Sequence, residues 1–535
     1  MANTVYGIDL GTTYSAIARI NENEMSDIIP NLDGQLTTPS VVYFEESGSV
    51  VVGEEAKRSL VMDSDNAVEL IKRHMGTEYP MDYQGTTYTP ESISALILKS
   101  LVAGANEQLG QDIKKVVITV PAYFGVQHRQ ATAQAGQMAG LEVLGIVTEP
   151  VAAALSIGAR GDSAETIMVY DLGGGTFDTT IMRLQEEKVE VLAIDGDREL
   201  GGADWDESLM NVVVEKFIDQ AGLDENPLDD EDFYADFRLK IEDLKKSLTR
   251  RQETNINLSY EDKRESVPVT REEFEGATKH LVQKTVEISQ RAVETAKKKD
   301  PNAHIDRVLL VGGSSRMPMI ENALKEQLGW DPQKTDFDLA VAKGAAIYGQ
   351  AADDGRLIVG DVDTDAKAAE RSRTLGSGSV GGDDDQKVLE VQNVLSRGVG
   401  VIFTDDRTGK DYIEFFAHAN DQIPCDPKPL TAGTMVPNQQ SVHLGIYEQG
   451  GESESKAPGD NNLLNEAEFE LPIKTLPKGA TILMAFHITS EGLVQMKTTE
   501  PKSGATKEME AKISILSEEQ VEEETAKVNA LTLRM

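Results

Sequence analysis

The chain is 535 residues long, room for two to four domains at about 100–200 residues each. Its 91 acidic against 52 basic residues leave a formal net charge of −39, which argues against nucleic acid and membrane surfaces as partners, because phosphate binding needs Lys and Arg in excess. The single cysteine, Cys425, excludes an intrachain disulfide framework and a cysteine-based zinc site.

The opening MANTVYGIDLGTT has no basic stretch and runs straight into a strand pattern, so no secretory signal is expected. With no long apolar run to cross a membrane, a cytoplasmic protein is the expectation. Up to about residue 352, β-branched runs such as Val116–Val120, Thr166–Tyr170 and Val308–Val311 alternate with helical patterns. The helical patterns cover Pro90–Gln108, Val126–Ala139, Phe233–Arg251 and Arg271–Lys298. That alternation reads as an α/β domain whose sheets are covered by helices. Residues 353–387 are rich in Asp, Gly and Ser, and read as an acidic flexible linker.

From 388 to 515 the pattern turns all-β. Ile482, Met484, Phe486 and Ile488 alternate with other side chains, and Ser490–Gly492 turns the chain into Leu493–Lys497. Similar strands at Val399–Phe403, Tyr412–Phe416 and Val442–Tyr447 make a β-sandwich the expected fold. The last segment, 516–535, opens with Ser517 three residues before Gln520, a capping-box spacing that predicts one short helix. Glu518, Glu519, Glu522, Glu523 and Glu524 mark it as acidic and solvated.

Three glycine loops carry the chemistry. In Gly7–Thr13 a strand delivers Asp9 to a turn whose backbone N–H groups and hydroxyls suit phosphate, with Asp9 facing a hydrated Mg²⁺. Asp171–Asp178 repeats the arrangement with three consecutive glycines, and the duplication predicts two related subdomains facing one ligand. Gly312–Arg316 lies between a strand and the helical pattern Met319–Leu328, where a helix start attracts anions. The stretch 376–381 fits G-x-G-x-x-G literally, but no strand precedes it, so it is a false positive. Singly, each loop could be an ordinary turn, and Lys72 with Arg73 an ordinary solvated basic pair.

Eight motifs stand in order: GIDLGTTYS (7–15), IKRHMG (71–76), VITVPAYF (117–124), EPVAAAL (149–155), DLGGGTFD (171–178), LGGADWD (200–206), LVGGSSRMP (310–318) and AVAKGAA (340–346). Together they resemble the seventy-kilodalton heat-shock chaperones of DnaK type, within the actin, hexokinase and sugar-kinase superfamily. The C-terminal β region resembles the family's substrate sandwich more loosely, through NQQSVHLGIYEQG (438–450) and LPKGATILMAFHITSEGLVQMKTTEPKSG (476–504). The resemblance implies an α/β actin-like two-lobed ATPase domain followed by an all-β sandwich.

It further implies ATP or ADP with Mg²⁺, and K⁺ as a further cation. Phosphates would be held by Gly11, Thr12, Thr13 and Tyr14, by Gly173, Gly174 and Gly175, and beside Gly201 and Gly202. Asp9 and Asp171 would bind Mg²⁺ mainly through water, with Glu149 and Asp178 completing an acidic ring. Lys72 resembles the lysine that orients the attacking water, and Thr176 the threonine beside the γ-phosphate. Glu242, Lys245 and Thr249 share one helical face and match the adenosine-contacting helix, with Gly312, Gly313, Ser314, Arg316 and Asp338 opposite. Lys246 stands where many members carry an arginine, and an ammonium stacks less well on adenine than a guanidinium does.

Pro121 and Arg129 match a proline-centred relay from active site to domain surface. Val442 resembles the residue at the centre of the peptide pocket, with Val401, Phe403 and Met435 as walls; a valine inside a sandwich is otherwise ordinary core. The partners implied are unfolded or extended polypeptides, a J-domain co-chaperone and a nucleotide exchange factor. The family's helical lid has only the short 516–535 segment as counterpart, so fast peptide release in both nucleotide states is expected. The reading is an ATP-dependent, DnaK-like chaperone. Its alternative is an ATP-binding regulatory or exchange-factor-like relative without substrate cycling.

Overall fold

The β-branched runs of the N-terminal region assemble into two sheets that repeat one topology. In this computed structural model, which describes residues 4–46, 48–158, 164–186, 188–334, 339–359, 388–451, 453–473, 475–490, 492–511 and 516–534, the first sheet has Tyr6–Asp9 at its centre. That strand pairs antiparallel with Tyr14–Ile20 and parallel with Lys115–Val120, which in turn pairs parallel with Glu142–Thr148. In the second sheet Glu165–Leu172 takes the central place, antiparallel to Phe177–Gln185 and parallel to Arg307–Val311, which pairs parallel with Gln333–Lys334. In both, the central strand ends in the Asp-Leu-Gly turn, so the expected duplication is a duplication of fold.

Helix Ala340–Asp353 seals the two halves. It carries Ala342, Ala345 and Ala346, all fully buried, against the first sheet, where a Cβ on Gly7 would stand 2.1 Å from the Ala346 nitrogen. Only small side chains allow so close a helix-to-strand approach. The second half is covered by helices Gly202–Ala221 and Arg271–Lys299 around Trp205, Phe217, Phe237 and Phe274.

Past helix Ala340–Asp353 the chain departs from expectation. The sequence puts 388 at the start of the sandwich, yet Leu389–Val394 pairs in parallel with Lys188–Asp197 and with Leu357–Val359, adding to the second sheet. Leu389, Val391 and Val394 are buried there beside Val189 and Val191, so an alternating strand finds its apolar partners on the N-terminal domain. Leu357–Val359 likewise belongs to that sheet rather than to the 353–387 linker; the remainder of the linker, with the 376–381 motif, lies outside the described residues.

The sandwich begins at Val399. One sheet runs Asp411–Ala417, Val399–Thr404, Ser441–Gln449, Asn461–Glu470, and the other Leu430–Gly433, Thr481–Ile488, Val494–Glu500, Ala505–Glu510. Period-two alternation puts Ile482, Met484, Phe486 and Ile488 inside. The helix Glu518–Ala530 has the expected capping box between Ser517 and Gln520. It is not solvated throughout: Val528 is fully buried in the N-terminal lobe and Glu524 is 6 % exposed. Lys99 Nζ donates to the Val528 carbonyl and Gln134 Nε2 to the Leu516 carbonyl. Strand Thr532–Arg534 then pairs in parallel with Ser49–Val52.

Candidate active site

The two Asp-Leu-Gly turns meet in the wall of a cleft of about 1000 Å³ between the duplicated halves. It is lined by Asp9, Gly11, Thr12, Thr13, Tyr14, Lys72, Glu149, Asp171, Gly173, Gly174, Thr176 and Gly202 on the side of the turns. Glu242, Lys245, Lys246, Thr249, Gly312, Gly313, Ser314 and Arg316 line the opposite part. Gly175 and Gly201 stand just behind this lining, and Asp338 lies outside the described residues.

The glycines are there because backbones and side chains touch. A Cβ on Gly174 would come within 2.3 Å of the Thr13 side chain, and one on Gly175 within 2.5 Å of Thr12 Cγ2. One turn therefore packs directly on the other. Arg73, adjacent to Lys72, closes the join by donating from Nε and Nη2 to the Gly175 carbonyl at 3.1 and 2.8 Å. Sequence reasoning treated Arg73 only as half of a solvated pair; no local signal shows that its acceptor is a carbonyl far along the chain.

Asp9, Glu149 and Asp171 line the cleft, and Asp178 lies buried beside the last two, outside the lining. Thr119 Oγ1 donates to Asp9 Oδ1 at 3.0 Å, and Lys72 Nζ donates to Glu149 Oε1 at 2.5 Å, with both side chains buried. Asp178 is 1 % exposed, and neither of its carboxylate oxygens has a well-formed hydrogen bond, although the Tyr123 N–H approaches. Burial, then the neighbouring Glu149 and Asp171, push its carboxyl well above the usual range. Such a group needs a counter-charge or water. Among the described residues no three carboxylate, His or Cys groups converge closely enough to hold a metal ion directly. The donor set fits a cation that keeps its hydration shell, as Mg²⁺ does.

Toward the open end, Lys245 Nζ donates to the Gly202 carbonyl at 3.0 Å and to Asp206 Oδ2 at 2.6 Å. Asp206 escaped the sequence reading although it closes the quoted motif LGGADWD. Lys57, also unforeseen, reaches from helix Glu54–Met62 across the cleft to Glu242 at 2.5 Å and to the Tyr14 hydroxyl at 3.0 Å. Lys246 lies 2.7 Å from Glu242 and 5.6 Å from the centre of the Tyr14 ring, so a protein ring and carboxylate engage the ammonium. Burial opposes ionisation of Glu242, but Lys57 and Lys246 outweigh it and bring the carboxyl down to about 2.

The path from cleft to sandwich is short. Strand Lys115–Val120 carries Thr119, bonded to Asp9, and ends at Pro121, whose carbonyl accepts from the Phe124 N–H at 3.2 Å. The Phe124 carbonyl in turn accepts from Arg129 Nε at 3.0 Å and from Ser396 Oγ at 3.2 Å. Next to it the Val126 N–H donates to Glu448 Oε1, a buried carboxylate of the sandwich, at 3.3 Å. Pro121 and Arg129 thus sit where the N-terminal domain meets the sandwich.

In the sandwich, Val401 is 2 % exposed and is core rather than a groove wall, since it faces the opposite sheet. Val442, Phe403 and Met435 are half-buried, with Val442 and Phe403 packed against the core edge and Phe403 stacked on Tyr412 at 6.0 Å.

Comparison with known proteins agrees with this geometry. The family model described as Hsp70 protein matches residues 5–363. A protein named Chaperone protein DnaK from Thermosipho africanus is 36% identical over 514 residues, covering 94% of this chain and 79% of its own length. One of the same name from Halobacterium salinarum is 36% identical over 534 residues, covering 97% of this chain and 77% of its own. A third, from Thermosipho melanesiensis, is 43% identical over 351 residues, 64% of this chain and 58% of its own. No described helix is long and apolar enough to cross a membrane.

Proposed function

The chain belongs to the Hsp70 family and is a DnaK-like chaperone with ATPase chemistry, and from that premise we propose how its own residues divide the work. ATP lies in the cleft with its phosphates between the turns Gly11–Thr13 and Gly173–Gly175 and its adenosine toward Glu242, Lys245, Lys246 and Thr249. Asp9, Asp171, Glu149 and Asp178 would hold Mg²⁺ through its water, with K⁺ as the further cation; bound there, the metal would neutralise phosphate charge. In hydrolysis a water oxygen bonds to the γ-phosphorus as the bond to the β,γ-bridging oxygen breaks, giving ADP and inorganic phosphate.

Lys72 orients that water and meets the charge developing on the γ-phosphoryl group, and Thr176 lies beside it. The observation that carries this assignment is the buried 2.5 Å contact of Lys72 Nζ with Glu149, facing the space between the two glycine turns. An ammonium fixed before the reaction costs no reorganisation during it. The test is single-turnover hydrolysis by Lys72→Ala. The rate should fall by about 10²–10³-fold with ATP affinity nearly kept, since the charge is needed where it develops. An unchanged rate removes Lys72 from the chemistry.

Unfolded or extended polypeptides are the substrate class, added along the sandwich by backbone hydrogen bonds with one apolar side chain beside Val442, Phe403 and Met435. Pro121 and Arg129 relay the nucleotide state, supported by the chain of contacts from Asp9 to Ser396. A J-domain co-chaperone and an exchange factor enter this proposal on the resemblance alone.

A further inference from the structure

Helix Pro90–Leu109 starts with more acid than its capping requires. Thr89 and Ser92 already cap its first turn reciprocally, yet Glu91, which lies between them, is 1 % exposed. A buried carboxylate is costly unless it is used. Part of the cost is offset by the helix start, where the peptide dipoles favour a negative charge. The Glu91 N–H and the Thr89 hydroxyl lie alongside, and one bond leaves the helix: the Gly76 N–H donates to Glu91 Oε1 at 3.1 Å.

Gly76 ends the turn that presents Lys72. The short helix Ile71–His74 is closed by the Met75 N–H on the Lys72 carbonyl at 3.3 Å, and Gly76 follows with φ of 71°. A side chain there would be strained in the left-handed region, and its Cβ would stand 3.2 Å from the His128 backbone. Met75 is fully buried and its sulfur accepts from Ser94 Oγ at 3.2 Å. Glu91 and Ser94, three apart on one helical face, thus grip the two residues that follow the turn. At its other end the turn offers Lys72 to Glu149 and Arg73 to the Gly175 carbonyl.

We propose that Glu91 is a positioning residue for ATP hydrolysis, setting through Gly76 where Lys72 stands against the γ-phosphate. The inference rests on the role proposed above for Lys72. Glu91 is not among the residues that line the cleft, and its hydrogen bond to Gly76 is what ties it to that turn. The second oxygen of Glu91 is buried without a well-formed hydrogen bond, the Thr89 hydroxyl alongside, and it feels the charge of Glu524 on the C-terminal helix, itself buried and bonded to Lys527 at 2.6 Å.

The experiment is a double-mutant cycle on the full chain, reading single-turnover hydrolysis and ATP affinity for Lys72→Ala, Glu91→Ala, Glu91→Gln and the Lys72→Ala/Glu91→Ala pair. Glu91→Ala should lower the hydrolysis rate about tenfold while changing ATP affinity less than about twofold, because a small misplacement of a reacting group is felt in the rate. Glu91→Gln, which keeps the acceptor for Gly76, should restore most of the rate. In the Lys72→Ala background the Glu91 substitution should add nothing. If it lowers the rate there by the same factor, or lowers affinity and rate together, Glu91 is only structural and the proposal falls. Should Glu91→Ala not fold, Glu91→Asp, one methylene shorter, takes its place with the same expectations at smaller size. If Lys72→Ala alone leaves hydrolysis unchanged, the Lys72 assignment fails first and takes this inference with it; a slow Lys72→Ala with additive effects sinks only the inference.

Discussion

The nucleotide cleft and the edge of the sandwich near Val442 ask different things of their residues. The cleft is built from glycines, carboxylates and ammonium groups, each of which is expensive to bury or to order and is present for contacts within a few ångströms. The sandwich edge is built from half-buried apolar side chains that would sit well in any β core. A site made of costly residues tolerates little substitution, whereas one made of ordinary core residues is defined by shape alone.

That contrast can be broken or sharpened by measurement. The largest effect is expected from Gly201→Ala, whose Cβ would stand 2.4 Å from the Gly175 carbonyl carbon and 2.5 Å from the Thr176 nitrogen. Backbone cannot move aside as a side chain can, so ATP affinity measured by calorimetry should fall about ten- to hundredfold. Unchanged affinity would mean that the second turn does not grip the phosphates. On the sandwich, Val442→Phe should fill the half-buried edge and weaken an apolar fluorescent peptide by about tenfold, with hydrolysis in the absence of peptide unaltered. Equal peptide binding by anisotropy would make Val442 plain core.

The smallest effect lies at the joint between the two regions. His128 is 7 % exposed, and burial, then the charges of Arg397 and Arg198, hold its imidazole down to about 3. Between that value and the ordinary one near 6.5, the unfolded chain binds the proton and the folded one does not. Stability from this group is therefore complete above about pH 6.5 and drains away as pH falls toward 3. From pH 7.5 to 6 the loss should be about 1 kcal/mol, and His128→Gln should remove that part of the slope in melting curves. Identical slopes would show that the ring protonates freely in the folded protein.

The cleft was legible because its marks are local. Asp9 and Asp171 end apolar strands and are followed by Leu-Gly, so the turn is written in consecutive residues and its duplication announces two halves. Arg73, Lys57 and Asp206 were not legible, since their partners are brought close only by folding: Gly175, Glu242 and Lys245 lie on other elements. The strand at Leu389–Val394 illustrates the same limit. Its alternation declares a strand, but nothing in it says that the edge awaiting it is Lys188–Asp197 rather than the sandwich. In the last helix, the run of glutamates hid Val528 and Glu524, which share one face and turn inward. Val401 was read toward the groove although the same alternation points it at the opposite sheet.

The pairing of Thr532–Arg534 with Ser49–Val52 has a mechanical consequence. The sandwich is moored to the ATPase body at its entrance by Leu389–Val394 and again beyond its exit by the terminal helix and strand. A body moored at both ends that loses one does not drift; the free end remains at high effective concentration near its berth. Each mooring also sits on a different half of the cleft, one on the second sheet and one on the N-terminal lobe. Because Glu448 is bonded to Val126 and Asn420 to Ile194 as well, a rotation of one half against the other loads the sandwich from both sides.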